Sequence, residues 1–252
     1  MLRQTLIEAD SLFNKFDFET VVVYPSSSEH CCISCKTSDD LVYAYVEDKG
    51  EEYTTKMFGL RNWSSIHTII SSFYNKDDES SLKIDIDTDD GGSPKVFNIS
   101  SGRLKMKYFL QNYSFIVNQQ DLKDKFDQRK FGLQHTLESN AGELTEDIVK
   151  DICRLSSLTN EKYFRITSKD GNNYIYFGDE NQSVDNGSIN IGNIGGTNIW
   201  KENTYFSVDY FSALFRSMYK DTIKVKFLPE RILMASENDN AYRVGALRGK
   251  AI

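Results

Sequence analysis

Proline is scarce in this chain of 252 residues, with only 3, and glycine is modest at 15. That composition excludes collagen-like and linker-dominated architectures. There is no run of about 18 apolar residues, so no helix is expected to cross a membrane. The opening stretch MLRQTLIEADSLF contains acids but no apolar signal core, which points to an intracellular protein, in the host cytoplasm if the source is viral. Histidine is limited to His30, His67 and His135, and no G-x-S-x-G nucleophile turn accompanies them, so His67 and His135 read as structural. No phosphate-cradling loop occurs either, because GNIGG lacks a following Lys-Ser/Thr.

The 4 cysteines comprise Cys31, Cys32 and Cys35 beside His30, with Cys153 alone. Cys32-x-x-Cys35 has metal-ligand spacing, but no second pair follows to complete a tetrahedron. The thiols therefore read as small hydrophobes of a buried strand in a reducing compartment. Asp85, Asp87, Asp89 and Asp90 in DIDTDDGG look like a calcium loop until the twelfth position is reached. That position holds Val96 instead of glutamate, so a polar strand edge and turn is expected. No catalytic residue, metal or cofactor is expected.

What is present is a globular composition: 39% hydrophobic and 27% charged residues, with 16 Phe and 14 Tyr favouring strands. The net charge is −7, so any contact with a polyanion must come from a locally basic face.

Periodicity sets out the elements. Leu2, Leu6, Ala9, Phe13 and Phe16 mark a first amphipathic helix, and Trp63, Ile66, Ile70 and Phe73 a second. Strands are expected in FETVVVYP, HCCISCKT, LVYAYVED, YTTKMF, LKIDIDTDD, KVFNIS and RLKMKYFLQ. Residues 117–130, VNQQDLKDKFDQRK, are charged and read as a connector between an N-terminal domain, 1–116, and a C-terminal domain, 131–252. In the second half FGLQHTLES reads as a strand and Ile148, Val149, Ile152 and Leu155 mark a third helix. YFRITSKDGNNYIYFGD reads as a hairpin around Asp170-Gly171. GSINIGNI is an alternating strand, Ser207 and Asp209 open a fourth helix on Phe211, Leu214, Phe215 and Met218, and TIKVKFLP, RILMASEN and AYRVGAL close the chain. The paired helices start roughly 60 residues apart in each half, and the halves are offset by roughly 145, an internal duplication of pattern. The fold class is α+β, two similar domains each with two helices against antiparallel sheet.

This order resembles the DNA sliding clamps, the processivity factors that include proliferating cell nuclear antigen and the clamp of T-even phages. The segments that carry the resemblance best are LTEDIVKDICRLSSL, Tyr163–Gly178, DNGSINIGNI, Thr204–Lys220 and Ile223–Leu247, with Leu228-Pro229 where many clamps have an apolar residue and a proline. The resemblance implies a non-enzymatic ring of six such domains, here a homotrimer, that encircles duplex DNA and tethers a DNA polymerase, with a clamp loader as further partner. A β-rich structural or assembly protein of virion type is a second reading, and an enzyme whose catalytic residues do not stand out in the sequence a third.

The helices carry cations opposite their apolar stripes: Lys150 and Arg154 on the third, Arg216 and Lys220 on the fourth, Arg3 and Lys15 on the first, and Lys76 near the end of the second. These would face DNA. Asp147 and Asp151 lie close enough to make ordinary ion pairs instead. The resemblance implies subunit contacts through Arg103–Leu110 (Leu104, Met106, Tyr108) and Ser188–Ile194 (Ile189, Ile191), though the same alternation suits a strand pair inside one chain. It also implies a partner-peptide pocket at Leu41, Tyr43, Leu122, Phe126, Leu228, Pro229, Ala251 and Ile252, where Leu41 and Tyr43 also suit a core.

Overall fold

A computed structural model describes residues 2–25, 30–50, 56–74, 81–111, 124, 128, 132, 137, 141–178, 185–194, 204–219 and 223–251. The chain divides into two compact units. The first comprises Met1–Ser38, Ala44–Phe131 and Asn238–Arg243; the second comprises Asp39–Tyr43, Gly132–Glu237 and Val244–Ile252.

The first unit opens with α1 (Leu2–Phe13), followed by β1 (Phe18–Pro25), β2 (Cys31–Thr37), β3 (Val42–Asp48) and β4 (Phe58–Leu60) in the sheet order β4-β1-β2-β3. After α2 (Trp63–Phe73) comes a meander of β5 (Lys83–Thr88), β6 (Pro94–Ser101) and β7 (Leu104–Phe109), paired antiparallel in sequence order. The 3.6-residue period buries one stripe of each helix: Leu2, Leu6, Ala9, Leu12 and Phe13 on α1, and Trp63, Ile66, Ile69 and Ile70 on α2. The stripes meet where the Phe13 and Trp63 rings pack edge-on at 4.9 Å. Asn62 starts α2 by accepting the Ser64 N–H at 2.8 Å, meeting one of the donors that a helix leaves unpaired.

The second unit contains β8 (Gly142–Glu143), α3 (Glu146–Thr159), β9 (Tyr163–Lys169), β10 (Asn172–Phe177), β11 (Gly187–Gly192), β12 (Thr204–Ser207) and α4 (Val208–Arg216). Then follow β13 (Lys224–Leu228), β14 (Arg231–Glu237), β15 (Ala241–Arg248) and β16 (Lys250–Ala251). One sheet runs β11-β10-β9-β12-β16, and β15-β14-β13-β8 form an antiparallel run. Phe164 on β9 is fully buried and touches Phe177, Phe206 and Phe211, the last edge-on at 5.3 Å, which fixes α4 on the sheet. The expected hairpin turns at Asp170 (φ 52°) and Gly171 (φ 79°), two left-handed residues whose twist matches the flanking strands. Gly187 admits a close approach: a Cβ there would lie 2.6 Å from Leu155 Cδ1, so β11 and α3 pack tightly only without a side chain at this position.

Several local expectations are corrected. Phe16 is not on α1, which stops at Phe13 and tightens into a turn through Phe16 N–H to Phe13 O at 3.3 Å; the Phe16 ring packs on Phe18 instead. Lys15 therefore lies in that turn and not on a helix face. The strand expected over FGLQHTLES is not formed at its described residues, since Gly132 and Leu137 are helical. Leu133 and Leu137 stand four apart in sequence, a spacing that suits a helical stripe as well as a strand. In the connector, the described residues Asp124 and Gln128 are helical too. Met218 falls past the end of α4, buried beneath Ser236, whose hydroxyl meets its sulfur at 3.4 Å. β11 ends at Gly192, short of Ile194, because Gly192 turns left-handed at φ 63°.

Candidate nucleic-acid interface

The solvent faces of the two helix pairs differ in charge. α2 has no charged residue, and it exposes Ser64, Thr68, Ser71 and Ser72. His67 on this helix is half-buried, and its Nδ1 lies 2.9 Å from Asp10 Oδ2 on α1. Asp10 Oδ1 also accepts the Trp63 Nε1–H at 3.2 Å, so one carboxylate holds the two helices together. Arg3 is half-buried on α1.

On α3, Lys150 and Arg154 are exposed together with Glu146, Asp147 and Asp151. Lys150 Nζ lies 3.6 Å from Glu146 and 3.7 Å from Asp147, spacings of four and three residues that place these side chains on one face. Such exposed pairs contribute about 0–1 kcal/mol, and they locally neutralise a cation expected to face DNA. Arg216 is exposed in the last turn of α4, where the helix dipole favours a positive charge. Lys76 and Lys220 lie outside the described residues.

The meander edge is distinctive. β7 is the outer strand of its three-stranded sheet, and Leu104, Met106 and Phe109 on it are 58%, 40% and 54% exposed. Arg103, Lys105 and Lys107 are exposed beside them. Tyr108, expected on the contact face, is buried instead, because its hydroxyl accepts the Arg61 and Asn62 N–H groups at 3.1 and 3.3 Å ahead of α2. Sequence reasoning missed Phe109, whose alternation assigned it to the opposite face of the strand.

In the second unit β11 is likewise an outer strand, with Ser188 and Asn190 exposed, Ile189 half-buried and Ile191 buried against its own unit. α3 packs beside it, and Leu158 near the helix end is 68% exposed. Leu158 was also missed; it lies three residues past Leu155, at the rim of the apolar stripe.

Solved structures provide the decisive comparison. Over 99% of the chain matches 96% of A. fulgidus PCNA, solved with the C-terminal region of FEN-1 bound, at a TM-score of 0.62 and 12% identity. The whole chain matches 63% of the DNA polymerase III β subunit from Borrelia burgdorferi, solved with a natural product, at a TM-score of 0.66 and 10% identity. Entamoeba histolytica Proliferating Cellular Nuclear Antigen matches over 99% of this chain and 95% of its own, at 0.55 and 11%.

The fold is that of a DNA sliding clamp.

No protein-family model matches the sequence, and no curated protein does. The likeness to sliding clamps therefore lies in the course of the backbone, and residue roles must be argued from this chain's own chemistry.

The residues expected to form a peptide pocket on this clamp fold lie in the second unit where they are described. Leu41, Tyr43, Leu228 and Pro229 are half-buried and Ala251 is exposed. The end of β15 brings two of these segments close: Arg248 N–H donates to Leu41 O at 2.7 Å, and Gly249 N–H donates to Glu230 O at 2.9 Å. The loop before Leu41 is pinned by Tyr210 Oη to Asp39 at 2.9 Å and by Arg248 to Asp40 at 3.2 Å. Leu122, Phe126 and Ile252 lie outside the described residues, as does His135.

The cysteine triplet occupies β2, buried on both faces. Cys32 Sγ donates to Tyr24 Oη at 3.3 Å and Cys35 Sγ to Ala44 O at 3.4 Å. Burial pushes the Cys31 and Cys35 thiols well above the ordinary range, so they stay protonated. Asp89 organises the expected turn, its Oδ1 accepting Gly91 and Ser93 N–H at 3.0 and 2.8 Å.

Proposed function

We propose that this chain is a sliding clamp in action as well as in fold: copies join edge to edge, close into a ring around duplex DNA and hold a DNA polymerase there. The role is that of a scaffold, without a catalytic step. The observation that carries the reading is the β7 edge, an outer strand whose exposed residues include Leu104, Met106 and Phe109. An open strand edge with exposed large apolar side chains is an association surface that a lone soluble chain would ordinarily blunt.

The proposed counterpart is β11 with α3 beside it. β7 presents exposed Arg103, Lys105 and Lys107, and exposed Asp185 precedes β11. Two different edge strands meeting in this way make a head-to-tail contact, which either closes into a ring or continues as a filament. Closure at three copies follows the two-unit length of the chain.

Inside the proposed ring, Arg3, Lys15, Arg154 and Arg216 contact phosphates, with Lys76 and Lys220 proposed to join them, while Lys150 is partly neutralised by its own helix. The serine-rich face of α2 contributes hydrogen bonds without charge. Modest attraction of this kind reads no bases and suits a ring retained by topology instead of affinity. The partner peptide is proposed to insert an apolar anchor beside Leu41, Tyr43, Leu228 and Pro229.

The test is retention of the protein on a nicked circular duplex during gel filtration, before and after the circle is cut. Retention on the circle and loss on cutting is the expected result. Equal retention on both forms contradicts encirclement.

A further inference from the structure

In the sheet β11-β10-β9-β12-β16, side chains alternate between two faces. One face, with Phe164, Ile166, Ile175, Phe177, Ile191 and Phe206, is buried. The other carries Tyr163, Arg165, Tyr174, Tyr176, Tyr205 and Lys250, all half-buried. The register brings them together: Tyr176 stands opposite Arg165, Tyr174 opposite Thr167, and Tyr205 opposite Lys250. Arg165 lies over the Tyr176 ring at 5.6 Å, Lys250 Nζ lies 4.4 Å above the Tyr163 ring, and the Tyr174 and Tyr176 centroids are 6.2 Å apart.

No residue of these five strands is acidic, although the chain contains 37 Asp and Glu and has a net charge of −7. A cationic, tyrosine-rich sheet face whose five strands contribute no acid, on an acidic protein, singles out a polyanion that also offers flat apolar faces. Single-stranded nucleic acid has both properties; a duplex keeps its base faces stacked inside, out of reach of tyrosine rings.

We infer that this face binds single-stranded nucleic acid, with Tyr174 and Tyr176 stacking on bases and Arg165 and Lys250 meeting phosphates. It is a different surface from the helix faces proposed to meet duplex DNA, and it does not depend on ring closure. Recognition is sequence-tolerant, since every base has a face to stack.

Fluorescence anisotropy with a fluorescein-labelled 20-mer of thymidylate and the full chain at low salt tests the inference. Tyr174→Ala with Tyr176→Ala weakens binding by about tenfold or more, whereas Tyr174→Phe with Tyr176→Phe stays within about twofold, because stacking needs the ring and not the hydroxyl. Arg165→Gln, which removes no ring from the sheet, lowers affinity and flattens its salt dependence. A 20-base-pair duplex of matched length is bound equally by parent and alanine variant, which separates this face from the duplex site. Failure of the parent to bind the 20-mer overturns the inference. So does equal binding by the alanine variant with its circular dichroism unchanged; that result would assign the face to a protein partner instead.

Discussion

Arg243 donates from Nη2 to Glu8 Oε2 at 3.1 Å across 235 residues of sequence, with the two side chains only 6% and 10% exposed. Glu8 Oε1 accepts in turn from Gln4 Nε2 at 3.0 Å, and nearby on α1 Thr5 donates to the buried Asp48 at 2.6 Å. The segment Asn238–Arg243 thus belongs to the first unit through a buried charge, although it lies near the other end of the chain.

Removing one partner takes away the counter-charge that the other, buried group now faces. Arg243→Ala is predicted to destabilise the first unit by about 3–5 kcal/mol, whereas the double variant Glu8→Gln, Arg243→Met recovers most of that loss. Urea unfolding of both variants checks this, and equal losses in the two would show that the pair is not what holds the segment.

Gly187→Ala puts a methyl group 2.6 Å from Leu155 Cδ1 and is predicted to cost about 1–3 kcal/mol through overpacking between β11 and α3. Adding Leu155→Ala opens the space, and the two losses are predicted to be less than additive in thermal unfolding.

The helix stripes were legible in the sequence because burial on one side imposes a period that Ile66 and Ile70, or Ile152 and Val149, satisfy without help from distant residues. The hairpin at Asp170-Gly171 was legible for the same reason: two left-handed residues in a row are a local demand. What sequence could not supply was long-range accounting. Tyr108 follows the alternation of Leu104 and Met106, yet two backbone N–H groups at Arg61 and Asn62 draw it inward. Lys150 was visible both as a DNA contact and as a neighbour of Asp147 and Asp151; only geometry showed that it pairs with Asp147 and Glu146. The tyrosines of β9 and β10 alternate openly in the sequence, but their assembly into one face with Arg165 and Lys250 depends on strand order.

Thiol reactivity provides a separate check on β2. Cys31 and Cys35 are buried and hold their protons well above the usual value of 9.0, so neither supplies thiolate in the native state at pH 8. A thiol-specific disulfide reagent is predicted to modify Cys153, which is half-buried, and to reach the others only after unfolding. The sign of the pH effect follows: the unfolded thiols ionise before the folded ones, so stability conferred by these cysteines is full below pH 9 and is lost as pH rises beyond it. Rapid native labelling of more than one thiol per chain would contradict the buried arrangement.

Charge on the β7 edge is predicted to dissolve the proposed assembly without unfolding the chain. Leu104 and Met106 are 58% and 40% exposed, so Leu104→Asp with Met106→Asp costs little within the unit. The expected result is a 28.9 kDa species with an unchanged far-ultraviolet spectrum. A variant that keeps the parent's mass would move the contact to another surface.

Sedimentation equilibrium of the unmodified chain tests the central claim most directly. A closed ring of three copies predicts a single species of roughly 87 kDa, three times the 28.9 kDa chain, that does not grow with concentration. A monomer at all concentrations, or a mass that climbs without limit as an open filament would, contradicts it.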